Sequence, residues 1–262
     1  MAKISERKNQ WYGWVPDIPD HRDFQYAAPP PTKGLPRVVD LRSKMPPVYD
    51  QGELGSCTAN AIGAAIEFAR KKEGEPRFQP SRLFIYYNER VIEGTVGEDG
   101  GAQIRDGMKV VANLGVTSED KKARIGNWPY DPRRFKDKPP GAAFKTAEKN
   151  QVLIYRRVPQ ALSQLKGCLA SGFPIVFGFS VYDAFESAAV ARTGVLNLPG
   201  HAEKLVGGHA VLAVGYDEAT QRFLVRNSWG VDWGQRGYFT MPYAYVASND
   251  LADDLWTVRL TE

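Results

Sequence analysis

The chain has 262 residues, of which 43% are hydrophobic and 11% aromatic. That is enough to bury a sizeable core in one large domain or two closely packed lobes, and it excludes a disordered chain. The 34 basic and 30 acidic residues give a net charge of +4 without a long run of one sign, which indicates a solvated surface and gives no reason to expect nucleic acid as a partner.

Residues 1–34 differ in composition from the rest of the chain. They are polar, carry aromatic residues such as Trp11 and Trp14, and end near the run Pro29-Pro30-Pro31. Because polyproline is a stiff spacer, we interpret 1–34 as a separate segment joined to a globular body, 35–262. The basic start lacks the apolar run of a signal peptide, and no stretch reaches the ~18 apolar residues of a membrane helix. We therefore expect a soluble protein without a membrane partner, either cytoplasmic or exported without a recognisable signal.

The first half of the body shows helical periodicity. From Ser56, a candidate N-cap, apolar residues recur at helical spacing and the stretch ends in basic residues that complement the helix dipole. Further helices are predicted at 81–93, 104–115 and 158–172.

After these helices the pattern changes to short apolar runs separated by turn residues. The predicted strands are 174–181, 209–217, 222–230, 237–242 and 255–260. Helices followed by strands predict an α+β fold with two lobes. We expect a helical lobe at about 50–150, a lobe built on a twisted antiparallel sheet or barrel at about 151–262, and a cleft between them.

One cysteine is placed for chemistry. Cys57 would lie in the first turn of a helix, where the helix dipole favours the thiolate, although a lone buried cysteine is often only a small hydrophobic residue. His209 follows 152 residues later and Asn227 follows 170 residues later. The first spacing is close to the ~130–150 residues of papain-type enzymes, and the second is somewhat longer.

Three blocks carry a specific resemblance. The stretches PPVYDQGELGSCTANA, GGHAVLAVGYD and RNSWGVDWGQRGYF resemble, in the same order, the signature blocks of the papain family of cysteine peptidases. The similarity runs from about Leu35 to residue 242. The Gly-Ser-Cys-Thr-Ala-Asn block and the N-terminal GWVPDIPDHRDF are most similar to the short bacterial members, so the resemblance implies a papain-like two-lobed fold and an enzyme that hydrolyses protein or peptide substrates.

The resemblance also implies roles for four residues. Cys57 matches the nucleophile, His209 its acid/base partner and Asn227 the amide that orients the histidine. Gln51, six residues before the cysteine, matches the side chain that donates to the oxyanion. Such an enzyme works through a thioester and requires no cofactor or metal.

Substrate-binding residues are also implied by position. Trp229 matches the indole that shields the histidine–asparagine bond, with simple packing as the alternative. Gly100 and Gly101 match a glycine pair whose backbone pairs with the substrate, with a flexible turn as the alternative. Gly208, beside the histidine, is assigned to substrate binding with them. The resemblance suggests an apolar or aromatic substrate residue one place before the P1 residue, but the loops that form the pockets do not align securely, including 241–254.

Two positions depart from the family pattern. Leu54 replaces a disulfide-forming cysteine, and Thr58 replaces the tryptophan that usually follows the nucleophile. Among the remaining candidates, Cys168 is expected to be a core or surface thiol, and His21 and His201 lack metal-ligand spacing. The acidic residues of GEDGG and LADD are interpreted as polar loops.

The resemblance places residues 1–34 where the family has a propeptide. One hypothesis is that this segment lies across the cleft and inhibits the enzyme as a zymogen; the alternative is a structural strap on the back of a lobe. Three further functions stay open. They are a transpeptidase or ligase that resolves the thioester with an amine, a non-catalytic peptide-binding module, and a more distant Cys-His-Asp acyltransferase, which the asparagine of Asn-Ser-Trp-Gly argues against.

Overall fold

Helices build the first half of the chain, as predicted. The computed structural model describes residues 12–29, 34–122, 125–152 and 154–260, so Trp11 and most of the proline run lie outside the described residues. The helices are α1 (Cys57–Lys72), α2 (Arg82–Glu93), α3 (Ile104–Asn113) and α4 (Gly141–Ala147).

Local sequence explains where these helices begin and end. The Ser81 side chain accepts the Phe84 N–H at the start of α2, and Gly94 ends it in the left-handed conformation. Ser56 stands at the N-cap of α1, but its side chain makes no capping bond. Its hydroxyl instead contacts the Tyr130 hydroxyl at 2.6 Å, so the start of α1 is held by tertiary contacts.

The second half of the chain forms an antiparallel sheet. Its strands are β1 (Val38–Asp40), β2 (Ile154–Arg157), β3 (Ile175–Tyr182), β4 (Leu205–Asp217), β5 (Arg222–Arg226), β6 (Tyr238–Pro242) and β7 (Ala252–Arg259). Their order is β2-β7-β3-β4-β5-β6, with β1 also paired to β4. The intervening helices are α5 (Leu162–Ala170), α6 (Ala188–Thr193) and α7 (Tyr243–Val246).

The sheet differs from the prediction near the site. It is open among the described strands, so the barrel alternative is wrong. The strand that carries His209 begins at Leu205, because β3 continues to pair with the preceding residues across an irregularity at Val181–Tyr182. The predicted strand 222–230 ends at Arg226, where the chain turns to place Asn227.

Two hydrophobic cores position the cleft. One packs α1, α2 and α3 against one face of the sheet, with Trp256 and Leu212 facing the helices. The other packs α5 and aromatic side chains against strands β3 to β7, with Phe179 among them. Cys57, at the N-terminus of α1, therefore meets β4 where the helical half joins the sheet.

Candidate active site

Cys57 and His209 come together at this junction. The backbone N–H of Ala210, the residue after His209 in β4, donates to Cys57 Sγ at 3.3 Å. Both Cys57 and His209 have no exposed surface. The structure therefore brings the predicted thiol and imidazole to one place, 152 residues apart in sequence.

Asn227 orients the imidazole. Its Oδ1 lies 2.8 Å from His209 Nε2 and also accepts the Ser228 N–H at 2.8 Å. The bond from the Ser228 N–H identifies this atom of Asn227 as the amide oxygen, because only the oxygen can accept. An oxygen cannot donate to His209, so His209 Nε2 must carry the proton. Asn227 thus selects one tautomer of His209 without adding charge.

Gln51 is held by a residue that sequence reasoning missed. Ser228 Oγ donates to Gln51 Oε1 at 2.6 Å, and the Ser228 carbonyl accepts the Gln51 N–H at 2.8 Å. Gln51 Nε2 donates to the Leu54 carbonyl at 2.9 Å. The adjacent Asn227 and Ser228 therefore position the histidine and the glutamine respectively. The Asn-Ser-Trp-Gly block contained this information, but only its asparagine and tryptophan were interpreted.

The loop before the thiol has a second support. The Tyr130 hydroxyl donates to the Gln51 carbonyl at 2.8 Å and contacts Ser56 Oγ. Arg82 donates to the Asp50 carbonyl at 3.1 Å and forms a buried ion pair with Glu119 at 2.8 Å. Arg82 at the start of α2 and Tyr130 therefore hold the backbone around Gln51, and no sequence motif marked either side chain.

Trp229 packs directly against the imidazole. Its ring centroid is 5.1 Å from that of His209, at an interplanar angle of 32°, and it is 7% exposed. Phe185 also packs against Trp229, with the two ring centroids 5.1 Å apart. These rings pack around the imidazole, and both His209 and Asn227 are buried.

The N-terminal segment crosses the cleft over these groups. On one side of the cleft, the backbone N–H of Trp14 donates to the Gly208 carbonyl at 3.0 Å. On the other side, the backbone of Ala102 donates to the Gly13 carbonyl at 2.8 Å and accepts the Val15 N–H at 3.1 Å. The Tyr12 ring lies 5.8 Å from the His209 ring, edge-on. Of the predicted substrate-binding glycines, Gly208 contacts the segment through its carbonyl.

The two glycines of the predicted pair lie in different surroundings. Gly100 is exposed. Gly101 has φ +84°, and a Cβ there would lie 2.3 Å from the Gly13 carbonyl oxygen. The absence of a side chain at Gly101 therefore leaves space for the segment. The backbone pairing itself is made by the next residue, Ala102.

Burial changes the chemistry of the thiol. It raises the pKa of Cys57 to about 12, although the N–H groups of Ala210 and Gly13, both directed at the sulfur, lower it. With the segment in place, burial therefore favours the protonated form of this thiol.

The interpretation of LADD as a polar loop is wrong. Asp254 lies in β7 with a fully buried side chain, and its Oδ1 pairs with Arg157 at 3.0 Å. Its Oδ2 accepts the Trp14 indole N–H at 2.9 Å. Asp99 of GEDGG likewise accepts the Gly55 N–H at 3.1 Å. Both carboxylates were missed because their partners are distant in sequence.

The remaining candidates lie away from the cleft or at the surface. Cys168 is a buried thiol in α5 whose Sγ contacts the Phe173 carbonyl at 3.6 Å. His21 and His201 are exposed. In the part of the chain that the structure describes, no three His, Cys, Asp or Glu residues are grouped as metal ligands. Every helix there is too short or too polar to cross a membrane.

Known proteins share this sequence and fold. The model of the papain family cysteine proteases matches residues 35–255. An uncharacterised peptidase C1-like protein of Acanthamoeba polyphaga mimivirus is 42% identical over 95% of this chain and 86% of its own length. Cathepsin K of Gallus gallus is 30% identical over 78% of this chain, which spans 58% of that longer protein.

Solved structures agree with these matches. Xylellain, a cysteine protease from Xylella fastidiosa, is 47% identical, with a TM-score of 0.86 over 98% of both chains. Procathepsin L 3 of the Tenebrio molitor larval midgut is 18% identical, with a TM-score of 0.70 over 96% of this chain and 76% of its own, and shares the fold. The chain therefore belongs to the papain family of cysteine proteases and is a cysteine endopeptidase.

Proposed function

We propose that Cys57, His209, Asn227 and Gln51 carry out the peptidase reaction and that the segment before Gly34 inhibits it. The observation that carries both parts is that the backbone around Gly13 and Trp14 covers the thiol and the imidazole, leaving each with no exposed surface.

The reaction proceeds through a thioester. His209 takes the proton of Cys57, and the sulfur attacks the carbonyl carbon of the scissile bond. The Gln51 side-chain N–H and the Cys57 backbone N–H donate to the oxyanion that forms. The C–N bond then breaks as His209 returns the proton to the leaving amine. Finally, His209 deprotonates a water molecule, which attacks the thioester, releases the acid and restores the thiol.

Inhibition by the segment follows from its contacts. Its backbone pairs with Ala102 on one wall and Gly208 on the other, which occupies the groups that would receive a substrate main chain. A Cβ on Gly13 would lie 1.7 Å from the Gly55 carbonyl oxygen, so only glycine fits this close to the loop before the thiol. A tethered segment is present at an effective concentration of about millimolar, so modest intrinsic affinity is enough to exclude substrate.

A cluster of charges anchors the segment. Asp23 accepts two hydrogen bonds from the Arg105 guanidinium, at 3.0 and 2.6 Å. Asp17 accepts the Arg105 backbone N–H at 3.0 Å and the Trp256 indole N–H at 3.1 Å, and pairs with Arg157 at 3.3 Å. These buried bonds attach the segment to both lobes, which supports the inhibitor hypothesis over a strap on the back of one lobe.

The test compares four proteins on an unbiased peptide mixture under reducing conditions, with mass spectrometry of the products. They are the full chain, a chain beginning at Gly34, and full chains with Cys57→Ala or Cys168→Ala. We expect the shortened chain to cleave roughly 10-fold or more faster than the full chain. Cys57→Ala should abolish cleavage, whereas Cys168→Ala, which removes a buried thiol elsewhere, should retain it.

Each part of the proposal has its own contrary result. Equal rates for the full and shortened chains would exclude inhibition by the segment. Undiminished cleavage by Cys57→Ala would exclude Cys57 as the nucleophile.

A further inference from the structure

The side chain of Trp14 occupies a pocket built around it. Its indole is 9% exposed and lies against two glycines, Gly178 of β3 and Gly208 of β4. A Cβ on Gly178 would lie 2.0 Å from the indole, and one on Gly208 would lie 2.8 Å from it. The strands lack side chains where a bicyclic ring needs space, so the pocket has the size of tryptophan.

The far end of this pocket is polar. Asp254 Oδ2 accepts the indole N–H at 2.9 Å, while Oδ1 is paired with Arg157 at 3.0 Å. The Asp254 side chain is fully buried, and the residue has φ +57°. Asp254 Oδ2 also accepts the Asp17 backbone N–H at 2.8 Å, so departure of the segment removes both of its donors. A buried carboxylate oxygen without a donor is costly, so a substrate side chain that fills the pocket without an N–H is disfavoured.

The pocket is also next to the reacting sulfur. Gly13, the neighbour of Trp14, lies against the Gly55 carbonyl in the loop that precedes Cys57, and the Trp14 backbone pairs with Ala102 and Gly208. When the segment leaves, a substrate paired to the same backbone groups must place a side chain in this pocket. The residue that fits it therefore contributes to substrate choice.

The charges around the pocket do not favour a cation. Among the described residues of this ion-pair network, departure of the segment removes Asp17 and Asp23 and leaves Arg105, Arg157, Asp253 and Asp254. Two guanidinium groups then balance two carboxylates. A neutral N–H donor on a large aromatic ring meets these conditions, whereas lysine or arginine would add an unbalanced charge beside Arg157.

We propose that this peptidase prefers substrates with tryptophan in the pocket that Trp14 fills, and that Asp254 is the residue that recognises the indole N–H. The inference rests on the proposed function and adds a substrate class to it. Phenylalanine has a similar apolar body without the donor, so the comparison of tryptophan with phenylalanine isolates the role of Asp254.

The experiment uses the full-length Trp14→Ala protein, which vacates the pocket. Its substrates are peptides identical except at one position, which bears Trp, Phe, Leu, Lys or Arg, with products followed by mass spectrometry. We expect the Trp peptide to be cleaved about 10-fold faster than the Phe peptide, from the loss of one bond to a charged acceptor. In a Cys57→Ala, Trp14→Ala protein, calorimetry should show the same order in binding, independent of catalysis.

Three further substitutions identify the cause. Asparagine can adopt the backbone angle of residue 254, φ +57°. In Asp254→Asn the amide oxygen stays with Arg157, so the NH₂ group faces the indole N–H and cannot accept it. We therefore expect the preference for Trp over Phe to disappear. Asp253→Asn is the matched control, since Asp253 pairs with Arg157 at 2.8 Å and is too exposed to line the pocket; the preference should persist. Gly178→Ala should turn the preference towards smaller residues.

Equal rates and affinities for Trp and Phe, or a preference for Lys or Arg, would overturn the inference while leaving the peptidase proposal intact. A protein that cleaves none of the peptides, nor the unbiased mixture, would instead overturn the role of Cys57. In that case the binding order measured with the Cys57→Ala, Trp14→Ala protein still decides whether the pocket selects tryptophan.

Discussion

Ser228 donates its hydroxyl hydrogen to Oε1 of Gln51 over 2.6 Å, although 177 residues separate the two. The Ser228 carbonyl accepts the Gln51 N–H at 2.8 Å. The pair of bonds fixes both the backbone of Gln51 and the orientation of its carboxamide. Since the carboxamide nitrogen is the group proposed to donate to the oxyanion, Ser228 is a positioning residue for that donor.

Replacing Ser228 by alanine should lower kcat about 10-fold with little change in KM. The Gln51 side chain would remain present but would no longer be oriented towards the oxyanion, which forms only during the reaction. Steady-state kinetics on the chain beginning at Gly34 measures both constants. In a Gln51→Ala background, Ser228→Ala should cause little further loss. Full additivity of the two effects would show that Ser228 acts elsewhere.

Trp14→Ala should raise the peptidase rate of the full chain roughly 10-fold or more. The change removes a large buried side chain and its bond to Asp254, both of which hold the segment in the cleft. The rate of the variant relative to the chain beginning at Gly34 is the measurement. Phe24→Ala is the matched control, because Phe24 belongs to the same segment but is 69% exposed; it should leave the rate unchanged.

We expect inhibition by the segment to weaken as the pH rises, because docking changes the pKa of Asp17. Burial and the neighbouring Asp254 carboxylate raise the pKa of Asp17 to about 7, against the lowering effects of Arg105 and Trp256. The docked segment therefore holds a proton that the released segment, with an ordinary carboxyl pKa, gives up. Between about pH 4 and 7, docking should weaken with increasing pH, by at most about 10-fold per pH unit.

The readout is the rate of the full chain divided by that of the chain beginning at Gly34, which cancels the pH dependence of catalysis itself. This ratio should rise from pH 5 to pH 8, and Asp17→Asn should flatten it. The charged groups around Asp17 are Arg105, Arg157 and Asp254. The two arginines stay charged in this range, and Asp17→Asn separates the effect of Asp17 from that of Asp254. A ratio that falls with increasing pH would contradict the assignment to Asp17.

Glu119→Ala should lower the free energy of unfolding by about 3 kcal/mol, because it leaves the buried Arg82 guanidinium without its carboxylate. Since Arg82 also donates to the Asp50 carbonyl beside Gln51, kcat should fall as well. Urea unfolding followed by circular dichroism measures the first effect. Arg133→Ala removes an exposed pair with Asp131 and should leave the urea midpoint unchanged; equal effects of the two variants would refute the argument.

Local patterns predicted the four longest helices, α1, α2, α3 and α5, and most of the strands, whereas the short helices α4, α6 and α7 were not predicted. Helix α2 begins after Ser81 and ends at Gly94, because caps and periodicity act over a few residues and can be recognised in the sequence. The short strands β1 and β2 were missed, because three or four residues show no clear alternation and they form only by pairing with β4 and β7. The end of the strand before Asn227 was misjudged for the same reason.

The sequence by itself determined the family and the nomination of Cys57, His209, Asn227 and Gln51, because the three motif blocks preserve residue type and order. Only the tertiary structure decided that Ser228 supports Gln51, that Trp14 lies in the cleft, and that Asp254 is a buried acceptor and not part of a polar loop. Each of these facts depends on a contact between residues 177 to 240 positions apart. Such contacts are selected by the packing of the whole chain, and a stretch of sequence read locally does not contain the partner that gives a polar side chain its role.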